Sequence, residues 1–305
     1  MLTVSEAFKI FKSRLELPQS LQDTISTHHR AVREWIESYD PTIKTKLIGS
    51  LHPKRKTRIN PRKGDSFDID ILVILGSFVR WVSYGGVKPV DALNKLENII
   101  KEHGTYKKMG PETDSPTIIF EYSDGIKVEL VPAYLDNIGD KPPKGRGYWV
   151  PRRNKWILAD YDYDAEYISS MNEKSKGYLI PLIKMLKATK RNLFPKMTSY
   201  HLEVLASNLI PDIVQIFEKE GVLLSYPLLI HAFFLIAKDK VIEPAIVPGS
   251  KSPPADEYLN DEDRLKLSQF FGKLANYCKK LLTLEDREAI EGWKKLFGEP
   301  FPSGG

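Results

Sequence analysis

The apolar positions change period along the chain. From residue 3 to 39 they recur at helical spacing, through Phe8, Phe11 and Leu15 and then Leu21, Ile25, Val32 and Ile36, with Pro18 between the sets. This predicts a short helix followed by a long one. Pro41 closes the segment, and Ile43 to Ile48 reads as a first strand running into Gly49-Ser50. Phe67 to Leu75 is apolar apart from Asp68 and Asp70, the pattern of a buried strand. Helical spacing returns over Val90 to Glu102 through Leu93, Leu96, Ile99 and Ile100. Thr117 to Tyr122 and Ile126 to Tyr134 then form a hairpin pattern around Ser123-Asp124-Gly125.

Residues 140–164 carry Pro, Gly, aromatics and mixed charge, including Gly145-Arg-Gly-Tyr-Trp149. They read as a connection from a mixed α/β lobe into a helical one. Tyr178 to Asn192 turns Leu179, Leu182, Ile183 and Leu186 inward and Lys184, Lys187 and Arg191 to a polar face. Thr198-Ser199 starts the next helix, which Pro211 is expected to break or kink. Pro227 to Ala237 is apolar nearly all round, a central helix with His231 as a core histidine. After a loop at Val247 to Pro254, two helices follow, Asp261 to Leu282 and Leu284 to Phe297, with Thr283 as candidate cap of the second. The expected units are residues 1–160, 161–297 and a flexible tail at 298–305.

A length of 305 residues suits two lobes of one enzyme-sized unit. The net charge of +5 permits an anionic ligand without demanding a long nucleic acid. The single cysteine, Cys278, excludes an intramolecular disulfide and a multi-cysteine zinc site. The opening MLTVSEAFKIF lacks the layout of a secretory leader and no apolar run has membrane-span length, so a cytoplasmic location is expected.

Chemistry enters through Gly49 to Leu75. Asp68 and Asp70 stand two apart on one strand and share a face. Carboxylates this close repel each other, and a divalent cation resolves the repulsion. Oxygen ligands on a rigid strand suit Mg²⁺, which takes further ligands from substrate phosphates. Gly49-Ser50 offers close backbone approach plus a hydroxyl and an amide for a phosphate. Glu129, in mid-strand, supplies a third carboxylate, with Glu121 a weaker competitor nearer the hairpin end. Between these features, Lys54, Arg55, Lys56, Arg58, Arg62 and Lys63 form a charge run that is either a solvated surface or a device steering a triphosphate. Together these residues imply metal-assisted phosphoryl transfer with two ions ~3.5–4 Å apart.

Gly49-Ser50, Lys56-Thr57, Asp68-Ile-Asp70 and Val128-Glu-Leu-Val-Pro-Ala133 resemble the nucleotidyltransferase core of the polymerase β superfamily. The Leu186-Lys187 helix and Thr198-Ser-Tyr-His-Leu-Glu203 narrow the resemblance to the bacterial cyclic-oligonucleotide synthases, the CD-NTases. These are relatives of animal cyclic GMP-AMP synthase and oligoadenylate synthase. The resemblance implies an α+β fold: a nucleotidyltransferase lobe with a mixed sheet, N-terminal helices and an α-helical second lobe. It implies that Asp68, Asp70 and Glu129 are catalytic and hold two Mg²⁺ ions, with Mn²⁺ as a substitute. Gly49, Ser50, Lys187 and Ser199 would bind the triphosphate, and Tyr200 would stack on a base. Taken without the resemblance, Lys187 is a solvated lysine, with Lys184 an alternative on the same face; Ser199 is a helix cap and Tyr200 a core residue.

The activity so implied is synthesis of a cyclic di- or trinucleotide second messenger from nucleoside triphosphates, in anti-phage signalling through a separate effector. The resemblance also implies a regulatory or ubiquitin-like conjugating partner at the Gly304-Gly305 end, against a reading of these glycines as plain flexible tail. A zinc-clamped DNA contact of the animal kind is unsupported, because the cysteines and the histidine spacing are missing. The rival readings are a linear or tRNA-end nucleotidyltransferase and a non-catalytic nucleotide-sensing module. The first needs an acceptor groove for nucleic acid, for which a charge of +5 argues weakly. The second is disfavoured by the intact set of three carboxylates.

Overall fold

The computed structural model describes residues 2–79, 88–114, 116–136 and 147–304, so Gly145, Arg146 and Gly305 lie outside the described residues. Two N-terminal helices, α1 (Val4–Leu15) and α2 (Gln19–Tyr39), part at Pro18 as the spacing predicts. Thr3 and Glu6 close a reciprocal capping box on α1. The strands are β1 (Lys44–Leu47), β2 (Phe67–Ser77), β3 (Glu112–Asp114), β4 (Thr117–Glu121), β5 (Ile126–Leu135), β6 (Tyr148–Arg152) and β7 (Lys155–Ala159). They form one mixed sheet in the order β1-β2-β5-β4-β3, with β6 pairing β5 and β7. The β2–β5 pair is parallel and the others are antiparallel.

Side-chain alternation sorts the faces of this sheet. Ile69, Ile71 and Val73 of β2 pack against Val32 and Ile36 of α2 and against Leu93, Leu96 and Ile100 of α3 (Pro89–Glu102). A short helix, α4 (Gly104–Lys108), follows. On the opposite face Leu72, Ile74, Val131 and Ala133 pack under Tyr148, Val150 and Ala159. Asp68, Asp70 and Glu129 lie on that second face, beyond the end of its apolar patch.

The second lobe comprises α5 (Tyr161–Lys174), α6 (Leu179–Leu193), α7 (Ser199–Lys219), α8 (Tyr226–Lys240), α9 (Asp261–Leu281) and α10 (Asp286–Phe297). No helix among the described residues is long and apolar enough to cross a membrane.

Several sequence expectations need correction. Residues 148–159, read as connection, are a hairpin whose turn holds Arg153 at φ +55°. α7 runs through Pro211 unbroken: Ile210, Ile213 and Val214 are buried on either side, and this packing outweighs the ~3 kcal/mol that an interior proline costs. Thr283 bonds back to the Lys280 carbonyl, so it closes α9 and does not cap α10, which starts after Glu285. His231 is half-buried, with Nδ1 3.1 Å from the Ala275 carbonyl oxygen.

The first and last segments differ most from expectation. Ala7, Phe8, Phe11 and Leu15 of α1 join the core of the helical lobe, although sequence order puts them with the first. The tail expected to be flexible is held there too. Phe301 is 1% exposed and its ring meets Phe8, Phe11 and Phe297 at centroid distances of 5.2, 5.1 and 5.3 Å. The Gly304 amide donates to Glu291 Oε1 at 3.0 Å.

Candidate active site

A cavity of about 860 Å³ opens between the lobes. Its floor is set by strand register. Parallel pairing places Asp70 beside Glu129 and Asp68 beside Lys127, so the three carboxylates project from one face of neighbouring strands. Burial pushes the Asp70 carboxyl up to about 6, with Asp68 adding to the rise and Arg58 opposing it. Burial followed by repulsion from Asp70 and Asp68 pushes Glu129 up to about 7. Glu121, the competitor, is exposed at the hairpin end and lies 4.0 Å from Lys127.

Gly49 and Ser50 face this acidic group from a single helical turn, Gly49–Leu51. Gly49 has φ +67°, and a Cβ there would overlap the Asp70 carboxylate. Only glycine meets both demands without strain. The Ser50 carbonyl accepts the Thr57 and Arg58 amides at 3.1 and 3.2 Å, which folds the basic loop back over the turn. That loop is only partly a solvated charge run: Lys54, Lys56 and Lys63 are exposed, whereas the arginines turn inward. Arg55 is buried, Arg62 donates to the Phe297 carbonyl at 3.2 Å, and Lys54 reaches Glu166 at 2.6 Å. The Arg58 guanidinium packs on the Phe67 ring at 4.1 Å and stands 3.9 Å from Asp68. It is a local cation beside the three acids.

The donor set fits divalent metal. Two carboxyls whose pKa values are raised by burial and mutual repulsion gain from a cation between them, and Asp68, Asp70 and Glu129 offer only oxygen ligands. They do not yet close around one point: among the described residues no three His, Cys, Asp or Glu side chains are set at metal-holding geometry.

The helical lobe supplies the opposite wall. Lys187, expected on a polar face, is 5% exposed, with Nζ 2.5 Å from Glu203 Oε1 and 2.9 Å from the Thr57 carbonyl. It lines the cavity nonetheless. Burial takes its pKa down to about 8, with Glu203 opposing. Lys184 instead meets Glu16 at 2.6 Å. Thr198 caps α7 by accepting from the His201 amide, leaving Ser199 exposed at the cavity edge. Tyr200 is half-buried, donates its hydroxyl to Asp164 at 2.7 Å and lies under the Arg55 guanidinium at 5.2 Å.

Gly49, Ser50, Asp68, Asp70, Lys187, Ser199 and Tyr200 thus line one cavity, and Glu129 stands beside Asp70. Sequence reasoning left Asp164 unassigned. It is 4% exposed and accepts from Ser250 at 2.6 Å, Ser252 at 2.8 Å and Tyr200, tying the loop before α9 to the cavity wall. A buried acid in the first turn of a helix gives little sequence signal, because acids are common there for dipole reasons.

The profile of the Second Messenger Oligonucleotide or Dinucleotide Synthetase domain matches residues 1–156. The chain belongs to this synthetase family. A probable cyclic nucleotide synthase of Bacillus cereus (strain VD146) is 26% identical over 295 residues, spanning 84% of this chain and 82% of the relative. Among solved structures, E. coli MS115-1 CdnC with ATP superposes with a TM-score of 0.73 at 12% identity, over 99% of both chains. The 3′-deoxy GTP-bound form of E. coli DncV gives 0.71 at 12% identity, over 96% of this chain and 94% of that one. The synthetase fold therefore extends over both lobes, although the family profile covers only the first.

Proposed function

We propose that this chain joins two or three nucleoside triphosphates into a cyclic oligonucleotide by metal-dependent nucleotidyl transfer. The observation that carries this reading is the β2–β5 register, which sets Asp70 beside Glu129 with Asp68 on the same face, opposite Gly49-Ser50. Asp68, Asp70 and Glu129 would hold the ions. Bound Mg²⁺ would neutralise phosphate charge and lower the pKa of the attacking ribose hydroxyl. The Gly49 amide, Ser50, Lys187 and Ser199 would grip the triphosphate and orient its α-phosphorus. The hydroxyl oxygen of a second nucleotide would lose its proton to solvent and form the new P–O bond as the bond to pyrophosphate breaks, and the same exchange at the remaining triphosphate would close the ring. Positioning and charge carry most of such a reaction.

Tyr200 would present its ring to a base. The cavity volume of about 860 Å³ lies at the upper end of the ~300–1,000 Å³ usual for a single small ligand, consistent with room for two nucleotides. The product would act as a second messenger in anti-phage signalling, on an effector separate from this chain. E. coli CdnC has been solved in complex with a HORMA protein, and a regulatory protein partner fits the same reading here.

The test is incubation with all four ribonucleoside triphosphates and Mg²⁺, followed by phosphatase treatment and mass spectrometry. A phosphatase-resistant cyclic product is expected from the native chain and none from Asp68→Ala or Asp70→Ala variants that keep the native melting profile. Full activity in either variant, or a product extended linearly only when RNA is supplied, would refute the reading.

A further inference from the structure

The cavity wall holds two buried carboxylates that the reaction above does not use, Asp164 and Glu203, and only the second binds the cations of that wall directly. Glu203 of α7 is 1% exposed. Its Oε2 accepts from Arg55 Nε at 3.2 Å, from Arg55 Nη2 at 2.9 Å and from the Thr57 hydroxyl at 2.9 Å. Its Oε1 lies 2.5 Å from Lys187 Nζ. The partners come from separate places: Arg55 and Thr57 from the loop between β1 and β2, and Lys187 from α6. A single carboxylate therefore ties the first lobe's loop to two helices of the second.

Donor counting shows what this leaves over. An ammonium has three N–H donors. Lys187 donates to the Thr57 carbonyl and pairs in charge with Glu203 Oε1, to which it makes no hydrogen bond, so donors remain for the cavity it lines. A guanidinium has five donors, of which Arg55 uses two on Glu203. One carboxylate faces two cations within this cluster, with Asp164 and Asp70 near enough to offset part of the excess. A cation left partly uncompensated in so buried a place gains from an anion that joins it. The Arg55 guanidinium meanwhile backs the Tyr200 ring at 5.2 Å.

We propose that Glu203 is a positioning residue for triphosphate binding: it aims Lys187 at the phosphates and holds Arg55 behind Tyr200, so one anchor sets both phosphate and base contacts. This rests on the nucleotidyltransferase reading above. Glu203 touches no reacting atom; it acts through the two cations it fixes. Its loss therefore appears in substrate affinity and much less in turnover at saturation.

The test uses the full chain carrying Glu203→Gln, which keeps the side chain's shape and removes its charge. The ligands are α,β-methylene analogues of the four ribonucleoside triphosphates with Mg²⁺, and inorganic tripolyphosphate as competitor. Kd and KM should rise about tenfold or more. The kcat should stay within about threefold of the native value. Tripolyphosphate should compete more weakly by a similar factor. Lys187→Met alone should weaken binding, and adding Glu203→Gln to it should cost less than the product of the two effects, because both act on one contact.

Should Glu203→Gln melt below the assay temperature, Arg55→Lys tests the same anchor by loosening the grip on Glu203 with the charge retained. Native affinity in either folded variant, loss of kcat at unchanged KM, or full additivity with Lys187→Met would overturn the proposal. Unfolding of both variants would mark Glu203 as a stability element and overturn it as well. If the native chain itself bound none of the analogues, the parent reading would fall instead.

Discussion

Gly49 answers to two constraints at once, a positive φ and an Asp70 carboxylate lying where a Cβ would stand. Gly49→Ala should strain the turn by roughly 1–2 kcal/mol and displace the carboxylate. Displacements of this order cost roughly a hundredfold in rate. Product assays alongside thermal melts should show that loss of activity with only a small fall in melting temperature. The Gly-Ser turn and the Asp-Ile-Asp strand were legible because their spacing alone puts them on defined faces. The Arg55–Glu203–Lys187 cluster was not. A run of six basic residues in a loop looks like a solvated surface, and nothing in local sequence marks a partner 148 residues away.

Among the elements, the central strands and most helices follow directly from apolar period, since each has one clear buried face. The β6–β7 hairpin escaped because Pro151 and the Arg152-Arg153 pair imitate a linker, while its short strands bury only Tyr148, Val150, Pro151 and Ala159 deeply. The tail escaped for a related reason: a Pro- and Gly-rich octet shows no period, yet one phenylalanine is enough to fasten it. Phe301→Ala should cost about 3–5 kcal/mol through the cavity it leaves among Phe8, Phe11 and Phe297. The melting temperature should then fall by roughly ten degrees. A loose tail would leave the melt unchanged.

For the whole molecule, the acidic floor makes stability depend on pH and on metal. Asp70 and Glu129 keep their protons to about pH 6 and about pH 7 in the folded chain. In the unfolded chain they lose them near pH ~4. The folded state thus carries more protons through that window, and these groups lower stability as pH rises across it. His201, lowered to about 4 by burial, runs the opposite way but is common to native and variant proteins. Asp70→Asn should therefore melt above the native protein at pH 5 and further above it at pH 8, both without metal. Mg²⁺ should raise the native melting temperature at pH 8, have little effect at pH 5, and raise that of Asp70→Asn less.

Because α1 sits in the helical core while α2 covers the sheet, the chain passes from one lobe to the other near residue 17 and again near residue 160. Two bodies strapped together at two points share an axis through those points. Opening about that axis, like a door on paired pins, would have to part the Arg55–Glu203 and Lys54–Glu166 ties that cross the cleft. Sliding of one lobe across the other would strain those ties and the covalent chain together.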